Sequence, residues 1–532
     1  MPANYMQHLN PKTVPQSQPL PGSTQVQNSA GGFSWQVDCW TRLDRFLILG
    51  AEGGSYYATE RAMTLDAAGS VRECFSKDPQ RTIARIIEVS DKGLAPKNGP
   101  AIFALALLST NSATLKAVPS ICRIGTHVFE FVGAAQQVRG WGQGLKKCIA
   151  RWMNDQPADK LAYQMLKYQN RMGWTWHDVL HKCHAKPASP GHQALYRWAK
   201  TGEVIEEAPK LLELWKEIQA MPKPGSTNPG PSEAESRLCQ MIVDNRLPRE
   251  LIPTEWLNSP RIWAALLQDM PLTAMIRSLG KMSAVGLIGP NSDSCKLVTD
   301  KLNQEYIHKS RVHPMALLLA SNVYSAGRGV KGGLTWQPAA KIVTALEEAF
   351  HAAFHNVEPT GKKYLLALDV SGSMNGGSVA GTYLTPRKAS GAMAMVTVRS
   401  EEWVETMAFS SGFVKLGLNK NQSLGDVIQS ISRLPFDGTD CSLPMTYARK
   451  HEIPVEVFVV YTDSETWQGS IHASEALKQY RKAMGINAKL IVVGMVANRF
   501  TIADPNDPGM LDVVGFSADV PQVMSSFARM QA

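Results

Sequence analysis

The stretch Tyr364-Leu-Leu-Ala-Leu-Asp-Val-Ser-Gly-Ser-Met374 decides the fold of the C-terminal part of this chain. Its opening, YLLAL, is short, continuous and apolar, with Lys362 and Lys363 before it and glycines after it. That pattern predicts a strand buried on both faces, as in a parallel sheet covered by helices. Asp369, Ser371 and Ser373 then fall just past the strand's carboxyl end, where open α/β sheets bind ligands. Three hard oxygens in a tight turn, with Gly372 permitting close backbone approach, suit a hard divalent cation such as Mg²⁺.

The neighbouring sequence supplies the rest of such a site. Strand-like KYLLALDV, WVETMAF, VEVFVVYTD and KLIVVGM alternate with helical PRKASGAMAMVTVRS, LGDVIQSIS, SLPMTYARK and SEALKQYRKAM. This alternation predicts a doubly wound α/β domain over residues 361–532. VEVFVVYTD ends at Asp463, and PFDGTD places Thr439 in a loop before a helix. Asp369, Ser371, Ser373, Thr439 and Asp463 thus form a D-x-S-x-S…T…D set. The set resembles the metal-ion-dependent adhesion site of von Willebrand factor A domains. That resemblance implies hydroxyl ligands to the ion, a water-linked carboxylate, and one position open to a partner's acidic group. An octahedral oxygen site of low charge suits Mg²⁺.

Residues 31–360 read differently. LKKCIARWM (145–153), DKLAYQMLKYQNRMG (159–173), HQALYRWAK (192–200) and APKLLELWKEIQAM (208–221) carry apolar residues at helical spacing. TIARIIEVS, PAIFALALLS and EAESRLCQMIVDNR repeat the pattern, and MPKPGSTNPGPS (221–232) reads as a loop. Many short amphipathic helices predict stacked, divergent HEAT-like pairs rather than a fixed-period array. Residues 1–30, rich in Pro, Gln, Ser and Asn, read as a flexible lead-in.

Charge singles out one stretch. The chain of 532 residues carries a net charge of +9, and residues 361–532 hold 16 basic and 16 acidic residues, so the excess lies in the first 360. Arg139 to Lys200 alone holds 11 basic against 3 acidic residues, with five of the thirteen tryptophans and four histidines. Basic residues interleaved with aromatics are the footprint of a partner that is a polyanion with stackable bases. The eight cysteines form no CxxC pair, which predicts free thiols in a reducing, cytoplasmic setting. No apolar run of 18 or more residues is present, and the N-terminus has no apolar core segment of a secretory signal. No GxSxG elbow, HExxH helix or Walker loop appears, so the reading assigns no catalytic residue. His177, His181, Cys183 and His184 offer a zinc alternative but lack a second pair at finger spacing.

Several blocks together resemble the Ro 60-kDa autoantigen family. They are RFLILGAEGGSYYATE (45–60), RGWGQGLKKCIARW, LKYQNRMGWTWHDVLHKCHAKP (166–187), MPLTAMIRSLGKM (270–282), GGLTWQP, VEPTGKKYLLALDVSGSM, GTDCSLPM and IADPNDPGMLDVVGF (502–516). The resemblance implies a ring of HEAT-like repeats, the TROVE domain, followed by a von Willebrand factor A domain. It implies binding of small noncoding Y RNA on an outer basic surface and of single-stranded 3′ ends of misfolded RNA in the ring's hole. A monomer is implied, with an exoribonuclease as a candidate protein partner and no membrane. The family's RNA-contacting positions fall on Lys167, Arg171 and His184, with Lys167 and Arg171 expected at i, i+4 on one helix. His184 is expected to stack on or hydrogen-bond a base, its structural alternative being a capping or core histidine. Arg139, Lys146 and Lys147 are further candidates for phosphate contact, against a solvated helix start. The competing function is a protein-interaction scaffold that uses the metal site.

Overall fold

The computed structural model describes residues 13–530 except 223, 225–231, 331, 355–356, 380–381 and 436. Most of the loop expected over 221–232 therefore lies outside the described residues. The strands in chain order are β1 (Val26–Gln27), β2 (Phe33–Gln36), β3 (Asn170–Arg171), β4 (Trp174–Thr175), β5 (Lys363–Asp369), β6 (Trp403–Phe409), β7 (Phe413–Lys415), β8 (Val457–Thr462), β9 (Lys489–Gly494), β10 (Phe500–Thr501) and β11 (Met510–Val514). The chain divides into two compact units. One holds residues 1–74, 94–97 and 354–532; the other holds 75–93 and 98–353. The sequence reading placed this division at 30 and 360, so the first helices fall with the α/β unit instead.

In the α/β unit the sheet order is β11-β9-β8-β5-β6-β7, parallel throughout except for the β6–β7 hairpin. From Tyr364 to Asp369 every residue of β5 is buried, as the quoted stretch requires of a central strand. Helices Pro386–Ser400, Leu424–Ser432, Leu443–Lys450 and Ala473–Met484 cover it. This is the doubly wound domain expected. The parallel register brings the carboxyl ends of β5 and β8 side by side, with Leu368 paired to Tyr461. Asp369 and Asp463 therefore emerge at one edge.

The N-terminal segment departs from expectation. Residues 1–12 lie outside the described residues; from Thr13 onward the chain packs onto the α/β unit rather than leading in freely. Gln16 is fully buried, and its side-chain amide donates to Asp440 Oδ1 (2.7 Å) and to the Ile471 carbonyl (2.8 Å). β2 pairs with β10, and Asn28 Nδ2 donates to the Thr466 carbonyl at 2.6 Å. The Gln and Asn content that reads as disorder is consumed here as partners for backbone groups that would otherwise be buried unpaired. Helix Cys39–Leu49 is capped by Asp38 and packs on β11, where the buried Arg45 pairs with both oxygens of Asp512 (2.8 and 2.7 Å).

The second unit is a succession of helices, each packed on its neighbours. Gly99–Leu107 lies on Gly125–Val138, Glu233–Asn245 on Pro260–Asp269, and Pro314–Ser325 on Ala340–Ala352. Arg311 Nη1 donates to the Asp91 carbonyl at 3.1 Å, so early and late helices meet across 220 positions. All eight cysteines are free thiols. Among the described residues no helix is long and apolar enough to cross a membrane.

His127 gives this unit a pH dependence. Its ring lies 3.3 Å from Asn98 Nδ2, and Asn98 also binds Ser90 and the Ile121 carbonyl. Burial, followed by the charge of Arg123, pushes His127 down to about 4. The folded pKa lies below the unfolded one of about 6.5, so the unfolded state binds more protons between those values. Stability present above pH 6.5 is lost as pH falls toward 4. Unfolding at pH 7 and pH 5 is expected to show an acid loss on the order of 2 kcal/mol in wild type. His127→Asn removes that component of the pH dependence.

Candidate functional site

The carboxyl edge of the sheet gathers oxygen donors. Asp369, Ser371, Ser373, Thr439 and Asp463 are all at most 4% exposed. The turn after β5 is self-bonded: Ser371 N–H donates to Asp369 Oδ1 at 2.9 Å, and the Ser371 and Ser373 hydroxyls lie 3.1 Å apart. The Ser373 hydroxyl also lies near the Asp463 carboxylate. Thr462, the last residue of β8, donates to Asp369 Oδ2 at 2.6 Å. The Thr439 loop is tied to the Asp463 loop because the Thr439 carbonyl accepts from Trp467 N–H, Gln468 N–H and the Thr466 hydroxyl. The structure thus connects Asp369, Ser371 and Ser373 directly and ties the loop carrying Thr439 to the loop that follows Asp463.

The electrostatics ask for a cation. Burial, then the charge of Asp463, raises Asp369 to about 7. Burial raises Asp463 in turn. Both carboxylates are served by neutral donors, and the Arg387 guanidinium, which feels Asp369, donates to the Ile431 and Leu434 carbonyls. Two buried like charges among hydroxyls are costly unless a positive ion joins them. Among the described residues no group of three His, Cys, Asp or Glu side chains is placed to hold a metal. A hydroxyl-rich set lies outside that pattern, and its hard, weakly charged oxygens fit Mg²⁺. The zinc alternative gains no support: His177, His181 and His184 are exposed and their rings stand 6.4 and 6.3 Å apart in series.

A third carboxylate escaped the sequence reading. Glu465 is 3% exposed, two residues beyond Asp463, and is raised to about 7 by burial and then by Asp463. Ser29 holds it through N–H (2.7 Å) and hydroxyl (3.1 Å). The D-S-E spacing at the strand end was the available signal. Its partner Ser29 gave none, because nothing local in the N-terminal segment announces a contact 436 residues away.

The basic stretch 139–200 is a second cluster, and the structure sorts its residues. Helix Ala158–Lys167 ends at Lys167, and Asn170–Thr175 forms the β3–β4 hairpin. Met172 and Gly173 both take positive φ at its tip (51° and 78°), the pattern of a type I′ turn. The i, i+4 placement of Lys167 and Arg171 on one helix is therefore corrected: Gly173 supplies the turn that the helical periodicity concealed. Lys167 is held between Tyr163, whose hydroxyl it meets at 2.9 Å, and Tyr168, 5.5 Å from its ring centre. Arg171 is 59% exposed, with only a loose 3.8 Å pair to Glu130. Beside it Trp141 and Trp174, both half-buried, face each other at 6.1 Å. Trp152 and Trp176 are core instead, donating to the Cys122 and Tyr168 carbonyls.

Arg139 turns inward, donating to the Ser109 carbonyl and lying where a side chain on Gly142 would clash. Lys147 is exposed on helix Gln143–Asn154, whereas Lys146 is half-buried. Cys183 feels the charges of Lys200 and Lys146, so both lie near the exposed His184 beside it. His184 takes a left-handed conformation (φ 52°) as the C-cap of helix Trp176–Cys183, presenting its ring outward. His184, Lys146 and Lys200 make one grouping; Arg171, Trp174 and Trp141 make another.

An all-helical region followed by a mostly parallel α/β domain with a hydroxyl-rich edge defines a class, and comparison with known proteins gives its family. Residues 26–222 and 194–326 match the TROVE domain, and residues 363–528 match the Ro60 vWA domain. The chain belongs to the Ro60 family. It is 37% identical to RNA-binding protein RO60 of Deinococcus radiodurans, over 99% of both chains. It is 34% identical to RNA-binding protein RO60 of Caenorhabditis elegans, over 97% of this chain and 92% of that one. The crystal structure of the Deinococcus radiodurans RO (RSR) protein is similar at a TM-score of 0.67 and 36% identity, covering 92% of this chain and 99% of that one.

Proposed function

We propose that the protein is a non-catalytic RNA-binding protein that takes small structured Y RNA on the 139–200 face and single-stranded 3′ ends within the helical array. The observation that carries this reading is that Arg171, Lys147 and His184 are all exposed, Arg171 standing beside the half-exposed Trp141 and Trp174. Cations neutralise phosphates while Trp and His rings stack unpaired bases. The Arg311–Asp91 contact supports a helical array that closes on itself, giving a 3′ end a hole to enter. Requiring a duplex outside and a free end inside would select misfolded RNA for quality control.

The α/β unit serves a separate role in this reading. Ser371, Ser373 and Thr439 would hold Mg²⁺ by their hydroxyls, with Asp369 and Asp463 supplying charge. The ion adds a position for an acidic group, and the buried Asp/Ser set favours it as the basis of a second reading, metal-dependent capture of a protein such as an exoribonuclease. A titration of hairpin RNA with and without a 3′ tail separates the two. Wild type is expected to bind the tailed hairpin more tightly, and Asp369→Asn to match wild type within about threefold, since no phosphate contact is lost. Equal affinity for tailed, untailed and unrelated RNA, or loss of binding in Asp369→Asn, contradicts the assignment.

A further inference from the structure

The loop cluster read above as a divalent-cation site is buried, each of its five oxygen-bearing side chains being at most 4% exposed. The chain's own loop 52–57 lies against it, within the same compact unit. The fit is interlocked through glycines. A Cβ on Gly376 would stand 2.6 Å from Tyr56 Cα, and one on Gly377, at φ 69°, 2.3 Å from the Gly54 carbonyl oxygen. A Cβ on Gly53 would stand 2.8 Å from the Ser378 hydroxyl, which reaches the Glu52 carbonyl. The loop is itself pinned, by Ser55 N–H donating to the Ala58 carbonyl at 2.8 Å. It delivers Tyr57, half-buried, whose hydroxyl lies near Ser373 and within the fields of Asp463 and Glu465.

We propose that Tyr57 is a further residue of the metal site, facing the ion's remaining position and barring a partner's carboxylate while loop 52–57 is seated. This rests on the reading of Asp369, Ser371, Ser373, Thr439 and Asp463 as cation ligands. The ligands themselves are almost wholly buried, whereas Tyr57 is exposed on one side, so it stands between them and water. A phenol is a neutral hydroxyl, weaker than a carboxylate toward a hard cation, so it can be displaced when the loop lifts. Capture of an acidic partner therefore requires the loop to open first.

Mn²⁺ added to the full-length protein tests both layers, through its binding isotherm and the water-proton relaxivity of the bound ion. Wild type is expected to bind one Mn²⁺ with low relaxivity that added acetate does not change. Tyr57→Ala and, independently, Gly376→Ala keep the ion and gain about one exchangeable water, which acetate then displaces. Tyr57→Phe, which retains the ring and the loop packing, gains the water yet stays closed to acetate. Equal relaxivity and equal acetate response in wild type and all three variants overturn the assignment of Tyr57. Absence of saturable Mn²⁺ binding to wild type overturns the metal-site reading itself.

Discussion

Replacing Arg45 by Ala is expected to loosen helix Cys39–Leu49 from the sheet by about 3–5 kcal/mol. Arg45 is 1% exposed and meets both Asp512 oxygens, and its other nitrogen donates to the carbonyls of Asn498 (2.9 Å) and Phe500 (2.8 Å). Removing it leaves the Asp512 charge part-buried without its partner, together with backbone carbonyls that lose their donors. The effect extends toward the loop after β8, because Asn498 is shared: its Oδ1 accepts from Arg45 and its Nδ2 donates to the Asp463 carbonyl at 2.7 Å. Amide exchange along Cys39–Leu49 and β11 reads the loss as protection falling on the order of 10²–10⁴-fold. Adding Asp512→Leu to an Arg45→Met background recovers much of it, since an apolar pair of similar volume escapes the desolvation cost. If protection in Arg45→Ala stays within threefold of wild type, the helix is held by its apolar face and the ion pair is incidental.

Lys147→Ala/Arg171→Ala/His184→Ala is expected to weaken binding of a tailed hairpin RNA by about 10²-fold at moderate salt. Two of the three are phosphate contacts, so the slope of log K against log[salt] becomes shallower by about 1.5–2. Arg139→Ala behaves differently because its guanidinium closes on the Ser109 carbonyl within the fold. It lowers stability of the helical unit and leaves the salt slope unchanged. Lys167→Ala falls between, since that ammonium already rests against two tyrosine rings. A triple variant with wild-type affinity and slope would place the RNA elsewhere.

How far the sequence carries the structure depends on the reach of each interaction. The sheet was legible because β5, β8 and β9 are unbroken apolar runs, and central parallel strands leave no alternative register for such runs. The meeting of Asp369 and Asp463 at one edge followed, as the residue after a strand in this architecture has a fixed place. Period reading failed at Lys167, where helical spacing ran on through a hairpin that only Met172-Gly173 marks. Arg139 read as a surface cation because sequence gives no view of the Ser109 carbonyl 30 positions earlier. The packing of loop 52–57 against the turn after β5 was invisible for the same reason. Gln16, Ser29 and Tyr57 are ordinary polar residues in their local context, and their partners lie more than 300 positions away.

The central claim is that RNA lies on the 139–200 face, and crosslinking addresses it most directly. The full-length protein would be irradiated with a 3′-tailed hairpin RNA carrying photoreactive uridines, and the crosslinked peptides identified by mass spectrometry. The account predicts crosslinks concentrated between residues 139 and 200, at Trp141, Trp174 and His184, lost when an unlabelled tailed hairpin competes. Crosslinks confined to residues 361–532, or spread evenly over the chain without competition, would contradict it.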